Sequence, residues 1–300
     1  MRSFLSFALF MGIAMSITAF PVLARILQEK GLTRSKLGAM ALTCAAADDL
    51  TAWCILAAVI ALVNSGSSIS ALYTIGLAVI YVFAMLKLVR PFLERMNTLY
   101  ENNEKKRTPI IALLFVILII SSYITSIIGV HALFGAFIAG VIMPSSFSFR
   151  KIVIDKIEDV SIILLLPLFF VITGLRTQIG LINEGSLWVT FGWILLVAVT
   201  GKFGGSALAA RMVGQSWKDS LSIGVLMNTR GLMQLIVLNI GYDLGILSPQ
   251  IFAMMVLMAI VTTFMTGPAL DLINRFVHEK PHESIIKKAG KITAENKVLP

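Results

Sequence analysis

Four charged residues stand inside otherwise apolar stretches of the chain: Asp48, Asp49, Lys202 and Arg230. A charge at mid-bilayer costs at least about 2.5–3.5 kcal/mol on insertion scales, so each is a candidate for function. Two acids balance two bases. Adjacent residues on a helix point about 100° apart, at about 3.6 residues per turn. Asp48 and Asp49 therefore cannot serve one partner equally. One carboxylate can meet a base on a neighbouring helix while the other lines a water-filled cavity. Burial disfavours the bare charged form of a carboxylate. A buried carboxylate can therefore hold a proton or a dehydrated monovalent cation in turn. The alternative is two static salt bridges. Apolar residues could replace such bridges at little cost in stability, which favours a working role.

Two polar interruptions accompany the charges. Met15-Ser16-Ile17-Thr18-Ala19-Phe20-Pro21 places polar groups and a proline in the middle of an apolar run. Pro21 lacks an amide donor and clashes with a preceding helical turn. Asn228-Thr229-Arg230-Gly231 interrupts a second run. A break frees backbone groups that can bind an ion, and it is tolerated only beside protein or water. An ordinary proline kink is the alternative for Pro21, and the second break weighs against it.

The elements that must position these residues are membrane spans. The 300-residue chain is 57% hydrophobic and 14% charged, with a mean hydropathy of +0.89. Soluble domains carry about 25% charged residues. Apolar blocks approach or exceed the roughly 20 residues that cross a bilayer as a helix. Strand-type alternation is absent. Nine spans are expected, at 4–24, 37–63, 69–86, 109–128, 131–143, 160–174, 188–210, 220–240 and 250–270. With Met1 outside, the loops 25–36, 87–108, 144–159 and 211–219 and the tail from 271 lie inside. These segments hold 21 of the 25 Lys and Arg residues, as the positive-inside rule requires. The fifth span is the shortest, and the alternation holds only if it crosses. Residues 1–273 thus form a transmembrane domain of nine spans, and 274–300 a short cytosolic tail. The two broken spans run in opposite directions, the signature of inverted repeats around a central site. The expected fold is an all-α membrane protein, a multi-span helical bundle with inverted repeats and two crossed discontinuous helices.

The net charge of +9 and a pI near 9.7 do not indicate nucleic acid, because the basic residues sit in loops between spans. Cys44 and Cys54, ten residues apart on one helix, read as buried small side chains. Residues 90–108 read as a cytoplasmic linker or surface helix. His131 reads as a helix cap rather than a proton relay. Met254, Met255 and Met258 read as core or lipid filling. Gly201, Gly204, Gly205 and Ala209 read as positions of close helix approach, and Arg176 and Asp243 as solvated loop charges. No nucleophile–base pair, phosphate loop or cleavable signal peptide stands out, so an enzyme is not expected. No organic cofactor is required.

With these residues in hand, the sequence resembles the monovalent cation:proton antiporter-2 family of sodium/hydrogen exchanger-like proteins. The resemblance rests on Ser16-Ile17-Thr18-Ala19-Phe20-Pro21-Val22-Leu23-Ala24-Arg25, Ala46-Ala47-Asp48-Asp49-Leu50-Thr51-Ala52-Trp53 and Gly135-Ala136-Phe137-Ile138-Ala139-Gly140. It continues through Phe169-Phe170-Val171-Ile172-Thr173-Gly174-Leu175-Arg176, Gly201-Lys202-Phe203 and Asn228-Thr229-Arg230-Gly231-Leu232. It implies a core domain that slides against a dimerisation domain, with the ion site between crossed broken helices. It also implies that Asp49 binds cation and proton, that Asp48 pairs with Lys202, and that Thr18 lies near the site. Arg230 is expected to pair with an acid, and Pro21, Asn228, Thr229 and Gly231 to form the breaks. Family members have twelve or thirteen spans, so about four spans before the first broken helix are expected to be missing. Gln234 stands where relatives often carry glutamate.

The function implied is secondary active exchange of Na⁺ or K⁺ for protons. It would take place in a multi-pass protein of the cell membrane, with the N-terminus outside, the C-terminus cytoplasmic and a homodimer as the full-length form. A channel-like potassium efflux protein and a non-transporting fragment of such an antiporter are the alternatives.

Overall fold

The computed structural model describes residues 4–64, 68–102, 107–143 and 158–276. The described residues are helical and contain no strand. The first apolar run is two helices, α1 (Phe4–Ser16) and α2 (Phe20–Glu29). Pro21 occupies the first turn of α2, where a missing N–H is no loss and the fixed φ suits a helix start. It therefore begins a helix rather than kinking one. Next comes α3 (Lys36–Asn64), which carries Asp48 and Asp49 near its middle. Its buried residues include Ala41, Ala45, Ala52, Leu56 and Ile60. Cys44 and Cys54 fall outside that stripe and are exposed, contrary to the buried positions expected of them.

Helix α4 (Ser68–Ala84) runs through a π turn at Met85–Val89 into α5 (Arg90–Asn102). The first part of the expected 90–108 linker is thus continuous with the preceding helix. Helices α6 (Arg107–Ile128) and α7 (Ala132–Val141) form a tight hairpin. Gly129 makes the turn at φ 90°, a conformation side chains disfavour. Gly135 allows the close approach, since a Cβ there would lie 2.4 Å from the Ser121 carbonyl oxygen. The Ser121 hydroxyl donates to the Gly135 carbonyl at 2.6 Å and is also bonded to the Tyr81 hydroxyl. At ten residues, α7 rises about 15 Å, half of a bilayer core of about 30 Å. Residues 144–157 lie outside the described residues. His131 caps α7, its ring accepting the Leu133 amide at 3.3 Å.

The remaining elements are α8 (Leu166–Arg176), entered through a π turn at Ser161–Leu165, and α9 (Gly185–Val199). A second π turn, Thr200–Gly204, carries Lys202 and leads into α10 (Gly205–Met212). Helices α11 (Trp217–Met227) and α12 (Leu232–Asp243) meet at a 43° bend, and α13 (Pro249–Phe276) completes the bundle. Among the described residues six helices are long and apolar enough to cross a membrane, and the bent pair makes a seventh. The fourth and fifth expected spans are the shorter apolar helices of the α6–α7 hairpin.

Phe10, Phe252, Met254, Met255 and Met258 are fully buried in the bundle. Val79, Phe83, Ile119, Ile163, Trp193 and Phe264 face outward. So many exposed apolar side chains suit a lipid solvent and not water. Gly201, Gly204 and Gly205 meet open space, and Ala209 is exposed, so they are not the close contact expected. That contact is Gly224, whose added Cβ would lie 2.7 Å from the Phe203 carbonyl oxygen.

Candidate functional site

The break between α1 and α2 leaves carbonyls at the end of one helix and amides at the start of the next without helical partners. Cations collect at the carbonyl end, as the helix dipole favours. The Lys202 ammonium donates to the Ser16 carbonyl. The Arg230 guanidinium donates to Met15 at 2.5 Å and Ala14 at 3.5 Å, and to the Ala198 carbonyl of α9 at 3.4 Å. An anion sits at the amide end. Asp48 Oδ2 accepts the Thr18 amide at 2.8 Å and the Lys202 ammonium at 2.8 Å. Asp48 and Lys202 thus close an ion pair around the break, with side chains 22% and 12% exposed.

The second break meets the first directly. The Thr18 hydroxyl donates to the Met227 carbonyl at 3.0 Å, and the Ala19 amide to the Thr229 carbonyl at 3.0 Å. The Arg230 peptide is bonded on both sides to Thr263 of α13. Thr263 Oγ1 accepts the Arg230 amide at 2.9 Å and donates to the Arg230 carbonyl at 2.7 Å. Gly231 lies where a Cβ would come within 2.9 Å of Val22 and 3.1 Å of Ala19, so the crossing admits only glycine without a shift. Thr18, Thr229 and Arg230 are all but fully buried. Arg230 makes no ion pair among the described residues. The acid partner expected for it is replaced by backbone carbonyls, those of Ala14 and Met15 near the end of α1 and of Ala198 in α9.

Asp49 differs from its neighbour. Its Oδ1 is buried and makes no hydrogen bond. The helical rotation of about 100° between adjacent residues carries it away from the partners Asp48 has taken. Among the described residues no group of three or more His, Cys, Asp or Glu side chains gathers. The acids thus offer a single uncommitted carboxylate and not a chelating set. Gln234 is fully buried with both amide atoms unbonded, and Asn228 Oδ1 and Arg230 Nε are likewise unpaired.

The structure adds groups that spacing did not reveal. Thr263 is one, a threonine among several on α13 with nothing local to single it out. Arg176 and Asp243 keep the solvent exposure expected of them, and they also pair at 2.8 Å and join α8 to α12. Arg176 also donates to Asn239 at 3.0 Å, and Asn239 in turn to Thr173 at 3.0 Å.

Broken helices that meet around buried charges within a multi-span helical bundle are an arrangement that secondary transporters share. The chain matches the family described as sodium/hydrogen exchanger, transmembrane, over residues 2–274, and it belongs to that family. It is 41% identical to the Na(+)/H(+) antiporter NhaS4 of Synechocystis, over 89% of this chain and 65% of that protein. It is 40% identical to the cation/H(+) antiporter 17 of Arabidopsis thaliana, over 94% and 34%. It is 35% identical to the K(+)/H(+) antiporter 1 of Saccharomyces cerevisiae, over 89% and 31%. The chain therefore spans from about a third to just under two thirds of the length of these relatives.

Proposed function

We propose that this chain is the ion-coupling unit of an antiporter that exchanges Na⁺ or K⁺ for protons, with Asp49 as the shared carboxylate. One observation carries the reading: Asp48 Oδ2 is held by both Lys202 and the Thr18 amide, while buried Asp49 Oδ1 has no partner. A carboxylate that ties no helix together is free to exchange ligands. A proton neutralises it, and so does a monovalent cation stripped of water and helped by nearby protein oxygens. Each excludes the other, so a cycle in which only loaded states cross couples the two fluxes in opposite directions. Asp48, Lys202 and Arg230 hold the breaks in register, and Thr18 links them. The names of the relatives support both cations and do not choose between them.

The test is proton movement in liposomes containing the purified chain, driven by Na⁺ and then by K⁺. The wild type should move protons when the cation is added. Asp49→Asn should abolish this while leaving the melting temperature in detergent nearly unchanged, because Oδ1 gives up no hydrogen bond. Cation-driven flux through a folded Asp49→Asn variant overturns the assignment.

The setting proposed is the cell membrane, with the N-terminal end outside, the C-terminal end cytoplasmic, and a homodimer as the full-length form. The distribution of Lys and Arg supports the orientation. In a cysteine-free background, a cysteine at Glu184 should label from outside and one at Gln215 from inside. The reverse pattern, or one side for both, refutes it.

A further inference from the structure

The α11–α12 break must find partners for the amide and carbonyl of Arg230, which no helical turn reaches. One side chain serves both, since the Thr263 hydroxyl accepts from the amide at 2.9 Å and donates to the carbonyl at 2.7 Å. A hydroxyl is the smallest group able to do both. Its neighbours on α13 behave differently. Thr262 donates to the Met258 carbonyl and Thr266 to the Thr262 carbonyl, both within their own helix. Such back-bonding is the ordinary fate of threonine in a membrane helix. Thr263 instead reaches across to another element. On the other side of the same residue, the Arg230 guanidinium grips Met15 and Ala14 at the end of α1. Thr263 is thus the far anchor of a line from α13 through Arg230 to the first break.

We propose that Thr263 is a positioning residue for cation binding, and this rests on the exchange reading given above. By fixing the Arg230 peptide it sets the placement of the guanidinium and of the adjacent Thr229 and Met227 carbonyls, which hold Ala19 and Thr18. Its effect falls on geometry more than on stability. Thr263, Arg230 and Gly231 line an open cavity of about 610 Å³ with otherwise largely apolar walls, where the amide and carbonyl of Arg230 supply the two polar partners that a water replacing the lost hydroxyl needs. Water satisfies the hydrogen bonds but is not anchored to α13, so the break stays folded and loses its fixed register.

The experiment compares wild type, Thr263→Val, Thr263→Ala and Thr263→Ser in liposomes across a range of Na⁺ or K⁺ concentrations, with melting temperatures measured alongside. Loss of this outer positioning contact should raise the half-saturating cation concentration about tenfold in Thr263→Val. The maximal rate per folded molecule and the melting temperature should change little. Thr263→Ser should restore wild-type behaviour. Amide hydrogen exchange across 226–234 supplies a readout that needs no transport. It should quicken in Thr263→Val relative to the rest of the chain and return to normal in Thr263→Ser. Wild-type half-saturation with unchanged exchange in Thr263→Val overturns the proposal. So does equal impairment of Val and Ser, or failure of both Val and Ala to fold, which makes the residue structural. A wild type without cation-driven flux, or an active Asp49→Asn run beside it, removes the exchange reading instead. The amide-exchange comparison then decides the Thr263 anchor by itself.

Discussion

At the α1–α2 break the freed carbonyls meet cations, Lys202 at Ser16 and Arg230 at Met15, and the freed Thr18 amide meets the Asp48 carboxylate. At the α11–α12 break the same kinds of backbone group meet a hydroxyl or another peptide: Thr18 at Met227, Ala19 at Thr229, Thr263 at Arg230. Both breaks solve the same problem, since unsatisfied backbone in a membrane costs several kcal/mol per group. Their solutions differ in what can disturb them. On the function proposed above, a break closed by ionised side chains responds to a proton or a cation arriving at the adjacent acid, Asp49. A break closed by neutral groups does not. The first break is suited to switching, and the second to serving as the fixed surface against which the first is held.

The largest test of this difference is a double-mutant cycle on the ionic break. Removing one half of a buried ion pair costs about 3–5 kcal/mol, while removing both halves can be nearly neutral. Lys202→Ala should therefore lower the melting temperature in detergent more than Asp48→Ala with Lys202→Ala. Single losses that simply add would show that the two residues act apart, and the contrast between the breaks would lose its basis.

The next effect is steric and belongs to the crossing itself. Gly231→Ala must push against Val22 and Ala19, and overpacking of this kind costs about 1–3 kcal/mol. Gly201→Ala, which meets open space, is the control and should leave the melting temperature unchanged. Equal outcomes for the two glycines would mean that the breaks are not in contact as described.

The smallest effect sharpens the neutral side. Thr18→Val removes one hydroxyl bond to the Met227 carbonyl, worth about 0.5–1.5 kcal/mol. The loss should not vary with the concentration of Na⁺ or K⁺, because no charge takes part. A loss that disappears at high cation concentration would assign Thr18 to the ionic side of the comparison.

Much of this site is legible from residue types alone. Asp48, Asp49, Lys202 and Arg230 stand out because ionised groups are costly in an apolar run, whatever surrounds them. The segments Ser16–Pro21 and Asn228–Gly231 read as breaks because proline, glycine and short polar side chains disfavour a continuous helix. The helical, multi-span class follows equally directly, from the length and apolarity of the blocks. These are local properties, and local physics determines them.

Partnership is not local. Only the packed bundle decided that Arg230 would reach carbonyls and not an acid, that Arg176 would bind Asp243, and that Cys44 and Cys54 would face outward. The same holds for Gly224 and not Gly201 as the close contact, and for Thr263 as the group that spans to Arg230. The reason is rotational: spacing along a chain says which residues share a helix face, but not which neighbour that face is turned toward. The α3 helix makes the division plain. From the sequence, two adjacent carboxylates on α3 must point about 100° apart and so cannot share one task. Only the tertiary structure, by placing the end of α1 and the π turn of Lys202 beside Asp48, left Asp49 as the carboxylate without a partner.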